Sequence, residues 1–299
     1  MGSIRRPAVA GSWYPGSAAA LAAAVDALLR QAPAAHVGGD LIALVSPHAG
    51  LMYSGPVAAH AYQLLRTRAF DVAVLVGPSH YVGFDGVALY ADDGGFETPL
   101  GTAAIDRECA DALQRASPIV RTMPTVHGRE HSLEMQLPLL MRVAPSIKIV
   151  PLLVGAQTAA TAEALGDALA QAVRGRRALL VASTDLSHYH DAQTAARLDR
   201  VVIDCVERLD ADGLQRALDV QPEHACGGGP TVAVIRAARM LGANRATILN
   251  YADSGDVSGD KSSVVGYLAA ALARSSGPAE AGHYMPGPAE AGHYMPGPA

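Results

Sequence analysis

The chain has 299 residues, 50% of them apolar and 17% charged, with a formal net charge of −5. Such a composition supplies a sizeable core and excludes a disordered chain. With only two lysines, Lys148 and Lys261, and no Lys/Arg run longer than two, it offers no broad footprint for nucleic acid.

Three cysteines, Cys109, Cys205 and Cys226, are far apart and show no CxxC spacing, which disfavours a disulfide framework and a zinc finger. A reducing, cytoplasmic setting is expected. Met1–Ala10 carries Arg5, Arg6 and Pro7 but no apolar stretch of the signal-peptide kind. No segment has the apolar length needed to span a bilayer.

In chain order, Ser17 is placed to cap a helix with Leu21, Val25, Leu28 and Leu29 at helical spacing. Leu41–Val45 reads as a buried strand running into Ser46-Pro47-His48, and Gly55-Pro56 is expected to open a second helix ending near Leu65. Val72–Val76 is a second buried strand, running into Gly77-Pro78-Ser79-His80. Val87–Tyr90 and Phe96–Leu100 read as extended, on either side of a turn from Asp92 to Gly95. Thr102–Arg115 and Glu130–Leu140 read as helices, the latter kinked or ended by Pro138. Ile147–Val154 is a strand, Thr161–Val173 a helix, and Ala178–Ala182 a third buried strand leading to Asp185 and His188. Helices are expected over Ala192–Leu209, Asp212–Ala217 and Thr231–Leu241. A strand is expected over Ala246–Tyr251, and strand or helix over Val264–Ala273. Strand and helix alternate with no internal linker. This implies one α/β domain, residues 1–274, with a central mixed sheet flanked by helices. From Gly277 the unit GPAEAGHYMP occurs twice and breaks off at GPA, so residues 275–299 read as a Gly/Pro-rich tail or tag outside the fold.

Three strands each deliver a histidine, His48, His80 or His188, just past the carboxyl end, the edge where open α/β sheets bind ligands. A lone histidine there more often satisfies a loop carbonyl. Three at equivalent positions point to a metal, because neutral imidazole ligates Fe, Cu, Ni and Zn. Cys226, in HACGGGP before a helix, is a ligand, a nucleophile or a small buried hydrophobe. Asp185 can orient a histidine, accept a proton or cap a helix. Glu130 and Glu134 lie one helical turn apart, facing a pocket or water. Tyr53 and Tyr189 can donate hydrogen bonds to a polar substrate. GxGxxG, the P-loop lysine and GxSxG are all absent, which argues against nucleotide binding of those two kinds and against a serine nucleophile elbow. A Cys226–His pair remains open chemically.

The stretches RRPAVAGSWYP, SPHAGLMYSGPVAA, GPSHYVGFDG, EHSLEMQLPLL, STDLSHY, CGGGP and YADSGDVSGDKSSVVGY resemble, in order, the Memo family, over roughly Arg5 to Ala270. The chain reads as a bacterial member. The resemblance implies a fold similar to class III extradiol dioxygenases, with His48, His80 and Cys226 around a metal. That metal would be Fe(II), or alternatively Cu or Zn. His188 would act as acid/base, with Asp185 holding it. Trp13 would stand at the pocket mouth with Tyr53, Tyr189 and Glu134 in the pocket. The implied function is a metal-dependent oxidoreductase, dioxygenase-like or of another kind, acting on a small phenolic or related substrate. The alternative is a non-catalytic metal- or peptide-binding protein with a redox role. Small molecules or short peptides are the expected partners, with no nucleic acid or membrane, and self-association is left open. Three departures stand out: a cysteine where the dioxygenases use a carboxylate, Gln136 where members often have histidine, and Leu51 where tyrosine is common.

Overall fold

The computed structural model describes residues 4–33, 35–91 and 94–275. The repeat from Gly277, and residues 92 and 93 of the expected turn, lie outside the described residues. The first half contains β1 (Ile4–Arg5), α1 (Ala18–Gln31), β2 (Asp40–Ser46), α2 (Leu51–Gln63), β3 (Val72–Pro78), β4 (Val87–Leu89), β5 (Gly95–Thr98), β6 (Gly101–Ala104), α3 (Arg107–Ala116), β7 (Val120–Thr122) and α4 (Leu137–Val143). There follow β8 (Lys148–Val154), α5 (Ala159–Val173), β9 (Ala178–Ser183), β10 (His188–His190), α6 (Ala192–Glu207), α7 (Ala211–Val220), α8 (Gly228–Met240), β11 (Arg245–Asp253), α9 (Gly255–Ser258) and β12 (Val264–Arg274).

The result is an α/β domain with a central mixed sheet. Its strands run in the order β10-β12-β2-β9-β3-β8-β4-β7, with β11 also paired to β12. β2, β9, β3 and β8 are mutually parallel neighbours, whereas β12 runs antiparallel to β2 and β4 antiparallel to β8. Side chains alternate across the sheet as strand geometry requires. Val72, Val74 and Val76 of β3 enter one core with α3, α5, α6, α7 and α8, whereas Ala73 and Leu75 enter the other with α1, α2 and α4. Both faces are thus covered, which is why these strands read as continuous apolar runs.

Several boundaries differ from the sequence expectation, each for a local reason. Ser17 does cap α1, accepting from the Ala20 amide at 3.4 Å. Thr102 begins no helix: Gly101, at φ +125°, turns the chain so that β6 pairs with β5, and Asp106 then caps α3 by accepting from the Cys109 amide. α2 starts at Leu51, because the Gly50 carbonyl already accepts from the Tyr53 and Ser54 amides, and Pro56 sits inside it. The expected helix from Glu130 forms only from Leu137. The Glu130 carboxylate accepts from the amides of His131 and Ser132, holding a turn in place of a helix. Pro138 then lies in the first turn of α4, where its missing N–H costs nothing. The last element, β12, is a strand, paired with both β2 and β11.

The N-terminal segment is pinned by one buried carboxylate. Glu134 accepts from the Ala8 and Val9 amides at 2.8 and 3.1 Å and from the Tyr14 hydroxyl at 2.6 Å, and it pairs with the Arg5 guanidinium. Arg5 also donates to the His127 and Glu130 carbonyls. Both charged side chains are buried. Removing one partner leaves the other as an uncompensated buried charge, so Glu134→Ala should lower unfolding free energy by about 3–5 kcal/mol. A urea midpoint unchanged from wild type would show that the clamp contributes nothing.

Candidate metal centre

Three neighbouring parallel strands end side by side. His48 follows β2, Asp185 follows β9 between them, and His80 follows β3. Cys226 arrives from the turn before α8. Gly227 makes that approach possible: a Cβ there would stand 2.4 Å from the Ser183 carbonyl oxygen. The ligand atoms of His48, His80 and Cys226 all lie within 4.8 Å of one another. His80, Glu130 and His131 form a second group meeting the same distance.

His48 is buried, and its Nε2 is 3.2 Å from the Cys226 Sγ. Its Nδ1 lies 3.0 Å from the Ser183 hydroxyl oxygen. Burial drives its pKa well below the usual histidine value, helped by repulsion from His80 and His131. The Cys226 thiol is pushed the other way, upward, by burial and by the Asp185 carboxyl. Both groups are therefore neutral in this state. Sγ also accepts from the Asp185 amide at 3.3 Å.

His80 is more open, with its side chain 27% exposed. Its Nδ1 is 2.9 Å from Glu130, whose other oxygen accepts from the His80 amide at 2.6 Å. Burial opposes ionisation of Glu130, but hydrogen bonds and charge from His80 outweigh it and hold the carboxyl down at about 2. A carboxylate can only accept, so Nδ1 of His80 carries a proton, and in the neutral ring it is Nε2 that has the lone pair. His188 obeys the same logic: its Nδ1 donates to the Leu186 carbonyl at 2.8 Å. Burial lowers its pKa as well.

Asp185 takes a different part from the one sequence suggests. Its carboxyl does not hold His188; it accepts from the amides of His48 at 2.7 Å and Ala49 at 3.3 Å, fixing the loop after β2. Burial raises its pKa to about 7 against those two bonds.

Glu130 and Glu134 are likewise separated. With no helix between them, Glu130 goes to His80 and Glu134 to the N-terminal clamp, fully enclosed. Trp13, 36% exposed, lies 4.3 Å from the His131 ring, and His131 stacks on His80 at 4.6 Å. Burial takes His131 down to about 4. Tyr53 is half-buried in the first turn of α2, and Tyr189 is 77% exposed beside His188, their rings 5.6 Å apart. Glu130 and His131 are the site residues that sequence reasoning placed only loosely. Their signal was the EHS turn itself, masked by the leucine spacing that follows it.

No described helix is long and apolar enough to cross a membrane.

A family model described as Memo-like protein matches residues 5–271. A MEMO1 family protein of Methanothermobacter thermautotrophicus is 41% identical over 273 residues, covering 88% of this chain and 98% of its own. One from Methanosarcina acetivorans is 40% identical over 269 residues, covering 89% and 98%. One from Methanopyrus kandleri is 37% identical over 281 residues, covering 90% and 99%. These three relatives are archaeal. An uncharacterized Escherichia coli K12 protein of known crystal structure aligns over 76% of this chain and 99% of its own, at 20% identity and TM-score 0.49.

Gly227→Ala tests how Cys226 is placed. The added methyl must push the turn off the end of β9, a cost of about 1–3 kcal/mol for overpacking. The melting temperature should fall with it; an unchanged melting temperature would show that the close approach is not needed.

Proposed function

The chain belongs to the MEMO1 family, and from that premise we propose that it is a metal-binding protein with a redox role, holding one ion on His48, His80 and Cys226. The observation that carries this reading is the convergence of two imidazole nitrogens and one thiol within 4.8 Å at the sheet edge. The donor set fits a transition metal. His80 presents its lone pair because Glu130 takes the proton on its other nitrogen, the usual arrangement around a ligating histidine. Fe(II) is the expected ion, with Cu or Zn as alternatives, and the thiol shifts preference toward Cu(I) and Zn. An ion bound there supplies a redox-active or Lewis-acidic centre. A cytoplasmic setting fits three free cysteines.

A second reading, an oxidoreductase of extradiol dioxygenase type acting on a small phenolic compound, is favoured by His188. Its Nδ1–H is spent on Leu186, so its neutral Nε2 can accept a proton from a substrate hydroxyl. Leu186 rather than Asp185 orients the ring. Asp185 keeps His48 in place, while Trp13 and Tyr189 offer an aromatic rim to a small molecule or short peptide.

Elemental analysis of anaerobically purified protein is the test. About one equivalent of Fe, Cu or Zn is expected in wild type, lost in His48→Ala and Cys226→Ala. No ion after anaerobic loading would overturn the reading. Oxygen uptake that depends on a catechol-like compound would select the oxidoreductase, and loaded protein without uptake the binding protein.

Metal capture must also displace the Cys226 proton. The thiol is protonated at neutral pH because its pKa is raised, and His48 is already neutral because its pKa is lowered. Affinity should therefore rise with pH, about tenfold per unit for one proton released. Competition titrations between pH 6 and 8 measure the slope; a flat profile would remove the thiol from the ligand set.

A further inference from the structure

Of His48, His80 and His188, His48 is the one whose Nδ1 faces a group able to donate or accept, the Ser183 hydroxyl at 3.0 Å. The surrounding bonds settle which it does. The Pro47 carbonyl can only accept, so the Gln136 atom 3.0 Å from it is the amide nitrogen, donating. The Gln136 oxygen then accepts from the Tyr62 hydroxyl at 2.8 Å. The second proton of the Gln136 amide goes to the Ser183 oxygen at 2.7 Å. Ser183 has one proton of its own, and it goes to the Ser132 carbonyl, again an acceptor only, at 2.7 Å. What remains on the Ser183 oxygen is one acceptor site, and His48 is the group in front of it. Nδ1 of His48 must carry the proton, and Nε2 must turn its lone pair to Cys226.

We propose that Ser183 is the positioning residue of the centre, fixing the tautomer of His48 so that Nε2 is the free ligand atom. The bonds demand it: Ser183, Gln136, Ser132 and His48 are all buried, where an unmade hydrogen bond is costly and water cannot substitute. Ser183 is the last residue of β9, so the strand that places Asp185 also sets the proton on His48. The consequence for ligation rests on the metal-binding reading above; the tautomer itself does not.

The test is long-range proton–nitrogen NMR on metal-free, nitrogen-15-histidine-labelled protein at neutral pH. Wild type should show His48 protonated on Nδ1. Ser183→Ala removes the acceptor and should move the proton to Nε2, where it can point at Sγ. Ser183→Thr keeps the hydroxyl and should restore the wild-type pattern. Gln136→Met breaks a buried hydrogen bond on the same oxygen yet leaves it able to accept, so the proton should stay on Nδ1. A merely structural role would not separate these variants. Metal affinity should weaken about 10–100-fold in Ser183→Ala, as for other residues that orient a ligand. A wild-type proton on Nε2, or an unmoved proton in folded Ser183→Ala, would overturn the proposal. The expected tautomers in a protein that takes up no metal would support Ser183's role and remove the metal reading instead.

Discussion

The contact on which the centre depends is that between His48 Nε2 and Cys226 Sγ, made across 178 residues of chain. It is a contact between two groups that burial keeps uncharged. The imidazole is too buried to take up a second proton, and the thiol, beside the Asp185 carboxyl, is too buried to lose its own. An ionised pair would need its desolvation repaid, and the surroundings are not arranged to do so. The Asp185 carboxyl faces the amides of the His48 loop, and burial outweighs the hydrogen bonds that the Asp185 and Gly227 amides and the Thr184 hydroxyl offer the sulfur. A cation between them changes that balance, because thiolate and neutral imidazole are the forms that ligate. The pair is poised for a positive charge that the protein itself does not provide.

Around that contact the fold repeats one device. Each histidine has its Nδ1 occupied by a fixed oxygen: Glu130 for His80, the Leu186 carbonyl for His188 and Ser183 for His48. The three oxygens differ in kind, a carboxylate, a backbone carbonyl and a hydroxyl, so the three rings respond differently to their environment. His80 is the ring most open to solvent, and burial lowers the pKa of His188 and His48.

Much of this was legible in the sequence because the strands are. Apolar runs ending in SPH, GPSH and STDLSH locate the sheet edge, and position alone brings His48, His80 and Asp185 together. Cys226 was legible through its glycines, of which Gly227 has a steric duty against Ser183. What stayed hidden were residues whose partners are remote and whose own neighbourhood suggests something else. Leu133, Leu137 and Leu140 are spaced as a helix, so Glu130 and Glu134 seemed to share a face. In the structure their carboxylates serve His80 and Arg5, reached across 50 and 129 residues. No local pattern encodes such a choice. Ser183 was equally silent, since a serine closing an apolar strand gives no sign that its hydroxyl faces a histidine.

Gln136 serves its buried neighbours in a way that a histidine at this position could not. As an amide it can serve two needs at once, donating to the Pro47 carbonyl and Ser183 while accepting from Tyr62. A neutral histidine has one donor and one acceptor and could not satisfy the same three partners. With histidine here, either the ring must be protonated or one of those bonds must be given up, and the Ser183 hydroxyl at the end of β9 would then be freer to turn. The hydrogen-bond network behind His48 therefore governs how firmly that ring, and in the proposed reading an ion on it, is held. The donor set alone does not determine that firmness; it follows from whether every proton behind the ligands has a fixed acceptor.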